Sequence, residues 1–154
     1  MRSSMLVPAS LDESEANRGN AVTNYKLVMP EHLNHYGFLF GGNLLKWIDE
    51  VAWVAASIDY PGCHLVTIAL DRVEFKKSAR DGSILRFETE RVREGRTSVS
   101  YEVTVFRRNL HESDEEEIFR TATTFVRVGE DGEKRLLRDA AGEAPVIGER
   151  KGHM

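Results

Sequence analysis

An α+β fold, with an antiparallel sheet of about five strands wrapped around one long central helix, is what this 154-residue sequence predicts. Three observations lead there. One stretch, residues 43–58, carries an unbroken helical periodicity. The other periodic stretches alternate like strands. Their order is strand, helix, then four strands, with no βαβ repeat to build a parallel sheet.

The helix comes first because its signal is the clearest. Residues 43–58 read NLLKWIDEVAWVAASI. At about 100° per residue, Leu44, Ile48, Val51 and Ala55 centre one face, flanked by Leu45, Trp47, Ala52 and Ile58. Lys46, Glu50 and Ser57 lie opposite. So wide an apolar arc predicts a largely enclosed helix. Gly41 and Gly42 precede it, Asn43 is the expected N-cap, and Pro61-Gly62 close the segment.

The strands follow in order. Residues 22–28 form the first. Residues 64–76 read HLVTIALDRVEFK, where Val66, Ile68 and Leu70 share one parity and Val73 and Phe75 the other. That phase flip predicts a β-bulge near Asp71–Arg72. Residues 83–93 and 97–107 form a hairpin through Arg93-Glu94-Gly95-Arg96. Within it, Val99, Tyr101, Val103 and Val105 alternate with Ser98, Ser100, Glu102 and Thr104. Residues 117–128 complete the sheet. Its edges need cover, and pairing with a second copy is the usual solution.

Composition sets the frame. Hydrophobic residues make up 41% and charged residues 30% of the chain, which suits one globular domain. Residues 1–20 read as a mobile arm, 21–128 as the organised domain and 129–154 as a loose polar tail. With a net charge of −4, nothing in the composition suggests a basic nucleic-acid surface, and an anionic ligand would need a local basic patch. No signal peptide is evident. The apolar region from Leu44 to Ile58 is too short, and too interrupted by Lys46, Asp49 and Glu50, to span a membrane. Cys63 is the one cysteine, so no internal disulfide or CxxC pair exists and the chain reads as reduced and cytoplasmic.

Several residues can carry chemistry. Asp49 sits at the margin of the helical arc beside the small Ala52 and Ala56. An aspartate there is commonly a solvated boundary carboxylate, but small neighbours and a Gly-Gly helix start two turns earlier leave room for a ligand. Gly41 and Gly42 open the helix, where the first amides lack intrahelical acceptors and favour negative charge. Alone, the pair only permits close packing; with a carbonyl in place, the amides could hold an oxyanion. Asn34, three residues before Gly37, fits either turn chemistry or a polar contact to substrate or water. His32 and His35 are too sparse for a metal site, and no metal is expected. There is no GxSxG elbow. Lys76, Lys77, Arg80, Arg93 and Arg96 read mostly as a solvated face. Arg96-Thr97-Ser98, following Gly95, joins a cation, two hydroxyls and turn amides in a way that suits a phosphate.

Taken collinearly, these pieces resemble a known family. Met29-Pro30, then Asn34-His35-Tyr36-Gly37-Phe38-Leu39-Phe40-Gly41-Gly42-Asn43-Leu44-Leu45-Lys46-Trp47-Ile48-Asp49-Glu50, is similar to the signature of the hotdog acyl-CoA thioesterases. The YciA-like bacterial enzymes and cytosolic acyl-CoA hydrolases are the nearest group. Val66 to Asp71, Val73-Glu74-Phe75 and Gly95 to Ser98 extend the match over about residues 24–127. The resemblance implies hydrolysis of an acyl-CoA, with Asp49 as catalytic carboxylate, Asn34 as its partner and Gly41 or Gly42 supplying the oxyanion amide. Arg96, Thr97 and Ser98 would lie near the CoA nucleotide, and Lys77 is grouped with them. No cofactor is implied beyond the CoA of the substrate. The Asn and Asp of one site would come from opposite subunits of a dimer, with a trimer of dimers as the assembly. Ser78 stands where the family often has Pro, which bears on the CoA entrance. The rival readings are a non-catalytic acyl-CoA-binding module and a hotdog dehydratase using His32 or His35. Acyl length is open, since Trp47, Trp53 and Phe40 could line the pocket or only bound it.

Overall fold

A computed structural model describes residues 21–138. The expected arm 1–20 and the segment 139–154 lie outside the described residues. Five strands form one antiparallel sheet: β1 (Val22–Leu27), β2 (His64–Asp71), β3 (Ile84–Glu94), β4 (Ser98–Arg108) and β5 (Glu116–Val128), in the order β1-β3-β4-β5-β2. One helix, α1 (Gly41–Asp59), crosses a single face.

Burial explains why α1 lies there. Its Leu44, Trp47, Ile48, Ala52, Ala55 and Ala56 are buried. They pack with Phe87, Tyr101, Val103, Val105, Phe119 and Phe125 from the three central strands. Burying each large side chain contributes roughly 1.5–3 kcal/mol. The small alanines let the helix approach the sheet closely. The helix is less enclosed than its arc predicts. Trp53, Val54 and Ile58 stay exposed in the single chain.

Two local expectations need correction. Asn43 is not the N-cap. The helix starts two residues earlier, with Phe40 at the cap, and Asn43 Nδ2 instead donates to His32 O at 3.1 Å. The bulge in β2 lies at Ile68, where pairing jumps from Thr67↔Phe125 to Ala69↔Thr124. The strand then ends at Asp71, and Arg72 takes a left-handed φ of 50°. The extra residue turns Thr67 as well as Leu70 toward the helix side.

The packed region also runs past residue 128. Val128 bridges to Lys134, and Leu137 N donates to Arg96 O at 2.9 Å. Leu137 is 1% exposed and belongs to the core. The first part of the expected loose tail is therefore a strap over the hairpin end of the sheet. A polar cluster secures it. Tyr60 OH donates to Glu94 Oε1 at 2.7 Å, Arg138 Nε donates to the same oxygen at 2.6 Å, and Tyr101 OH donates to Asp59 Oδ2 at 2.6 Å. Burial, then the Glu94 bond, pushes the Tyr60 hydroxyl up to about 12.

Candidate active site

The loop before α1 is built from short-range bonds. Asn34 Oδ1 accepts from Tyr36 N at 2.9 Å and from Phe38 N at 3.2 Å. Gly37 takes φ 83°, which closes the turn. Turn chemistry thus occupies the Asn34 carbonyl oxygen, and the residue still lines a cavity of about 570 Å³. Gly41, Leu44, Phe75 and Lys77 line the same space. Among the described residues neither the Gly41 nor the Gly42 amide has an acceptor. Neither glycine takes a positive φ, and a side chain at either would press on a neighbouring, partly exposed ring. A Cβ on Gly41 would sit 3.0 Å from Phe75 Cζ, and one on Gly42 would sit 2.7 Å from Phe40 Cε1.

Asp49 is elsewhere. It lies eight residues into α1 from Gly41, about 12 Å along the axis. Half-buried, it faces β2, where Thr67 Oγ1 donates to Asp49 Oδ1 at 2.6 Å. Thr67 is a candidate site residue, by its bond to Asp49, that strand parity hides. Val66, Ile68 and Leu70 look like the inward set until the bulge is known. Beside this pair, Trp53 Nε1 donates to Leu65 O at 3.2 Å. Trp53 is 46% and Ile68 58% exposed on the same open edge of the sheet.

The candidate CoA residues fall into two groups. Lys77 is ion-paired with Glu116, which also accepts from Arg107 Nη2 at 2.7 Å. Arg96, Thr97 and Ser98 form the β3–β4 turn, whose backbone is already engaged. Thr97 O accepts from Arg127 N at 2.9 Å, and Gly95 N donates to Ser98 O at 2.7 Å. Ser98 and Arg107 mark opposite ends of β4, about 30 Å apart at strand rise. One chain therefore joins Asn34, Gly41 and Lys77, and leaves Asp49 and the Arg96–Ser98 turn apart from them.

The histidines have structural partners. His32 Nδ1 accepts from Met29 N at 3.0 Å and its ring meets Trp47 edge-on at 4.8 Å; the His35 ring lies 4.0 Å from Tyr36. Among the described residues no cluster of His, Cys, Asp and Glu is placed to hold a metal ion.

Residues 36–113 match the family model described as the Thioesterase superfamily. The chain belongs to that superfamily. Its sheet wrapped on one helix is the hotdog fold. It is 32% identical over 124 residues to an uncharacterized acyl-CoA thioester hydrolase of Zymomonas mobilis, covering 75% of this chain and 83% of that protein. It is 30% identical over 120 residues to acyl-coenzyme A thioesterase 11 of Mus musculus, and there the match covers 77% of this chain but only 20% of the mouse protein. Among solved structures, a hexameric acyl-CoA thioesterase aligns with a TM-score of 0.69 at 34% identity, covering 75% of this chain and 74% of that one. An acyl-CoA hydrolase of Staphylococcus aureus, solved with butyryl coenzyme A and coenzyme A, aligns at 0.69 and 26% identity over 75% and 70% of the two chains. Structures of that enzyme also include variants with one Asp, one Asn or one Thr replaced by Ala. Among the described residues no helix is long and apolar enough to cross a membrane.

Proposed function

We propose that this superfamily member hydrolyses an acyl-CoA at a site shared by two subunits, with Asp49 as the reacting carboxylate. The observation that carries this reading is the separation just described. Asn34 and Gly41, whose amide has no acceptor among the described residues, line one cavity, while the carboxylate faces the open β2 edge about 12 Å along the helix. Pairing two copies antiparallel along β2 would bring the Asp49 of each toward the cavity of the other.

The chemistry then needs few groups. The thioester carbonyl oxygen lies at the Gly41 and Gly42 amides, which stabilise the oxyanion. Asp49 takes a proton from water as it attacks the carbonyl carbon, or attacks that carbon itself and forms a mixed anhydride that water then cleaves. The C–S bond breaks, CoA leaves as thiolate, and the proton released from water neutralises it. A thiolate leaves readily, so the reading invokes no metal or cofactor. Asn34, with its Oδ1 held by the loop, presents its amide nitrogen to the substrate or the water. His32 and His35, engaged as described, are not assigned a proton-transfer role.

The assembly reading extends this. A β2-paired dimer is the unit, three dimers form the hexamer, and the enzyme works in the cytoplasm on acyl-CoA rather than on nucleic acid or at a membrane. The test is a panel of thioesters from acetyl-CoA to palmitoyl-CoA, read by free-thiol release. Wild type should turn over at least one acyl length, and Asp49→Ala should lose on the order of a hundredfold or more in kcat while staying folded. Near-normal turnover by the variant would exclude Asp49.

A further inference from the structure

The flank of α1 away from β2 holds a separate cavity, of about 240 Å³, between the helix and β1. It shares no lining residue with the Asn34 cavity. The side chains that β1 sends there are polar. Asn24 and Lys26 pair across the sheet with Phe87 and Leu85, both core residues, so they face the helix side. Lys26 Nζ lies over the Trp47 ring, 5.2 Å from its centroid. Among the described residues no carboxylate pairs with it, Glu50 of the same cavity included. The ring takes one side of the ammonium and leaves its other N–H groups for an acceptor. Asn24 Nδ2 is shut off from solvent and has no hydrogen-bond partner. An unmet buried amide costs roughly 1–3 kcal/mol, and this one lies in the wall of a cavity that an acceptor can enter. Trp47, Val51 and Val54 supply an apolar wall beside these donors.

We infer that this cavity binds a short-chain monocarboxylic acid, its carboxylate toward Lys26 and Asn24 and its tail along Trp47, Val51 and Val54. The volume holds about eight groups the size of a water, at about 30 Å³ each, and hexanoate has that many heavy atoms. An acid of this kind is also what hydrolysis of an acyl-CoA releases, so under that reading the cavity would hold product away from the Asn34 side.

Calorimetric titration with hexanoate and with hexan-1-ol, which has the tail without the charge, tests it. Wild type should bind hexanoate more tightly than hexan-1-ol. Lys26 is exposed, so Lys26→Met should keep its melting temperature while its Kd for hexanoate rises about tenfold, the loss expected for one charge-assisted contact. Asn24→Leu, which removes the unmet amide, should also weaken hexanoate without lowering the melting temperature. Lys77→Met, on the Asn34 cavity, should leave hexanoate affinity unchanged. No saturable binding by wild type overturns the assignment. Equal affinity of wild type and Lys26→Met overturns it too, and leaves Lys26 as an inward charge that guards the β1 edge. Loss confined to Lys77→Met would put the acid in the Asn34 cavity instead. Lys26-dependent binding in a protein without turnover keeps the acid site and removes the proposed activity.

Discussion

At the scale of single residues, the contact that organises the candidate site is the 2.6 Å bond from Thr67 to Asp49. Asp49 has no other partner among the described residues, so this hydroxyl sets where the carboxylate points. Thr67 touches no described part of the Asn34 cavity. It acts by positioning Asp49. Thr67→Val keeps the shape and removes the donor. Steady-state kinetics should show kcat lower by about tenfold, the worth of one hydrogen bond to a charged group, with KM nearly unchanged. A large rise in KM at constant kcat would show that Thr67 binds substrate instead. Asp49 is visible in the sequence as a carboxylate at the margin of an apolar arc beside alanines, a pattern that by itself suits a solvated boundary residue; only the family resemblance offers it a catalytic role. Thr67 is not visible in this way. Its parity is read correctly only once Ile68 is known to be an extra residue, and that depends on pairing with β5.

At the scale of elements, helix and strands followed from periodicity, because burial against one sheet face imposes it. Their ends followed less well. Asn43 looks like an N-cap by residue type, but the chain places Phe40 there and leaves the Gly41 and Gly42 amides open. The strap through Leu137 was hidden because one apolar pair in a polar run carries no period. It is secured at Glu94. Burial pushes the Glu94 carboxyl up. Hydrogen bonds from Tyr60 and Arg138, with the charges of Arg138 and Arg91, outweigh that and hold it below the usual carboxylate value. A depressed carboxyl stabilises the fold above its unfolded pKa, and that stability is lost as pH falls through the folded value. Glu94→Gln should therefore unfold more easily than wild type at neutral pH. The difference should shrink below about pH 4.3, the ordinary glutamate value. Urea melts of both proteins at neutral and acid pH measure it, and a gap that widens in acid would refute the role given to this cluster.

At the scale of the whole molecule, each chain holds the Asn34–Gly41 cavity apart from Asp49 and ends its sheet in the β2 edge, with Ile68 exposed on the strand and Trp53 exposed on the helix beside it. On the proposed mechanism, neither the cavity nor Asp49 alone has what hydrolysis needs. Light scattering should therefore find an oligomer with an even number of subunits at micromolar concentration, and a strict monomer would leave the site incomplete. The central claim, that the Asn34 cavity of one subunit works with the Asp49 of its partner, is tested most directly by mixing two inactive variants. Equal amounts of Asn34→Ala and Asp49→Ala, co-refolded, give about half mixed dimers by random pairing. Each mixed dimer then holds one site lacking both groups and one site with both intact. Thioester hydrolysis by the mixture should recover to about a quarter of wild type. If both residues served one subunit's site, every site would stay crippled, and no recovery despite verified subunit exchange would contradict the shared-site account.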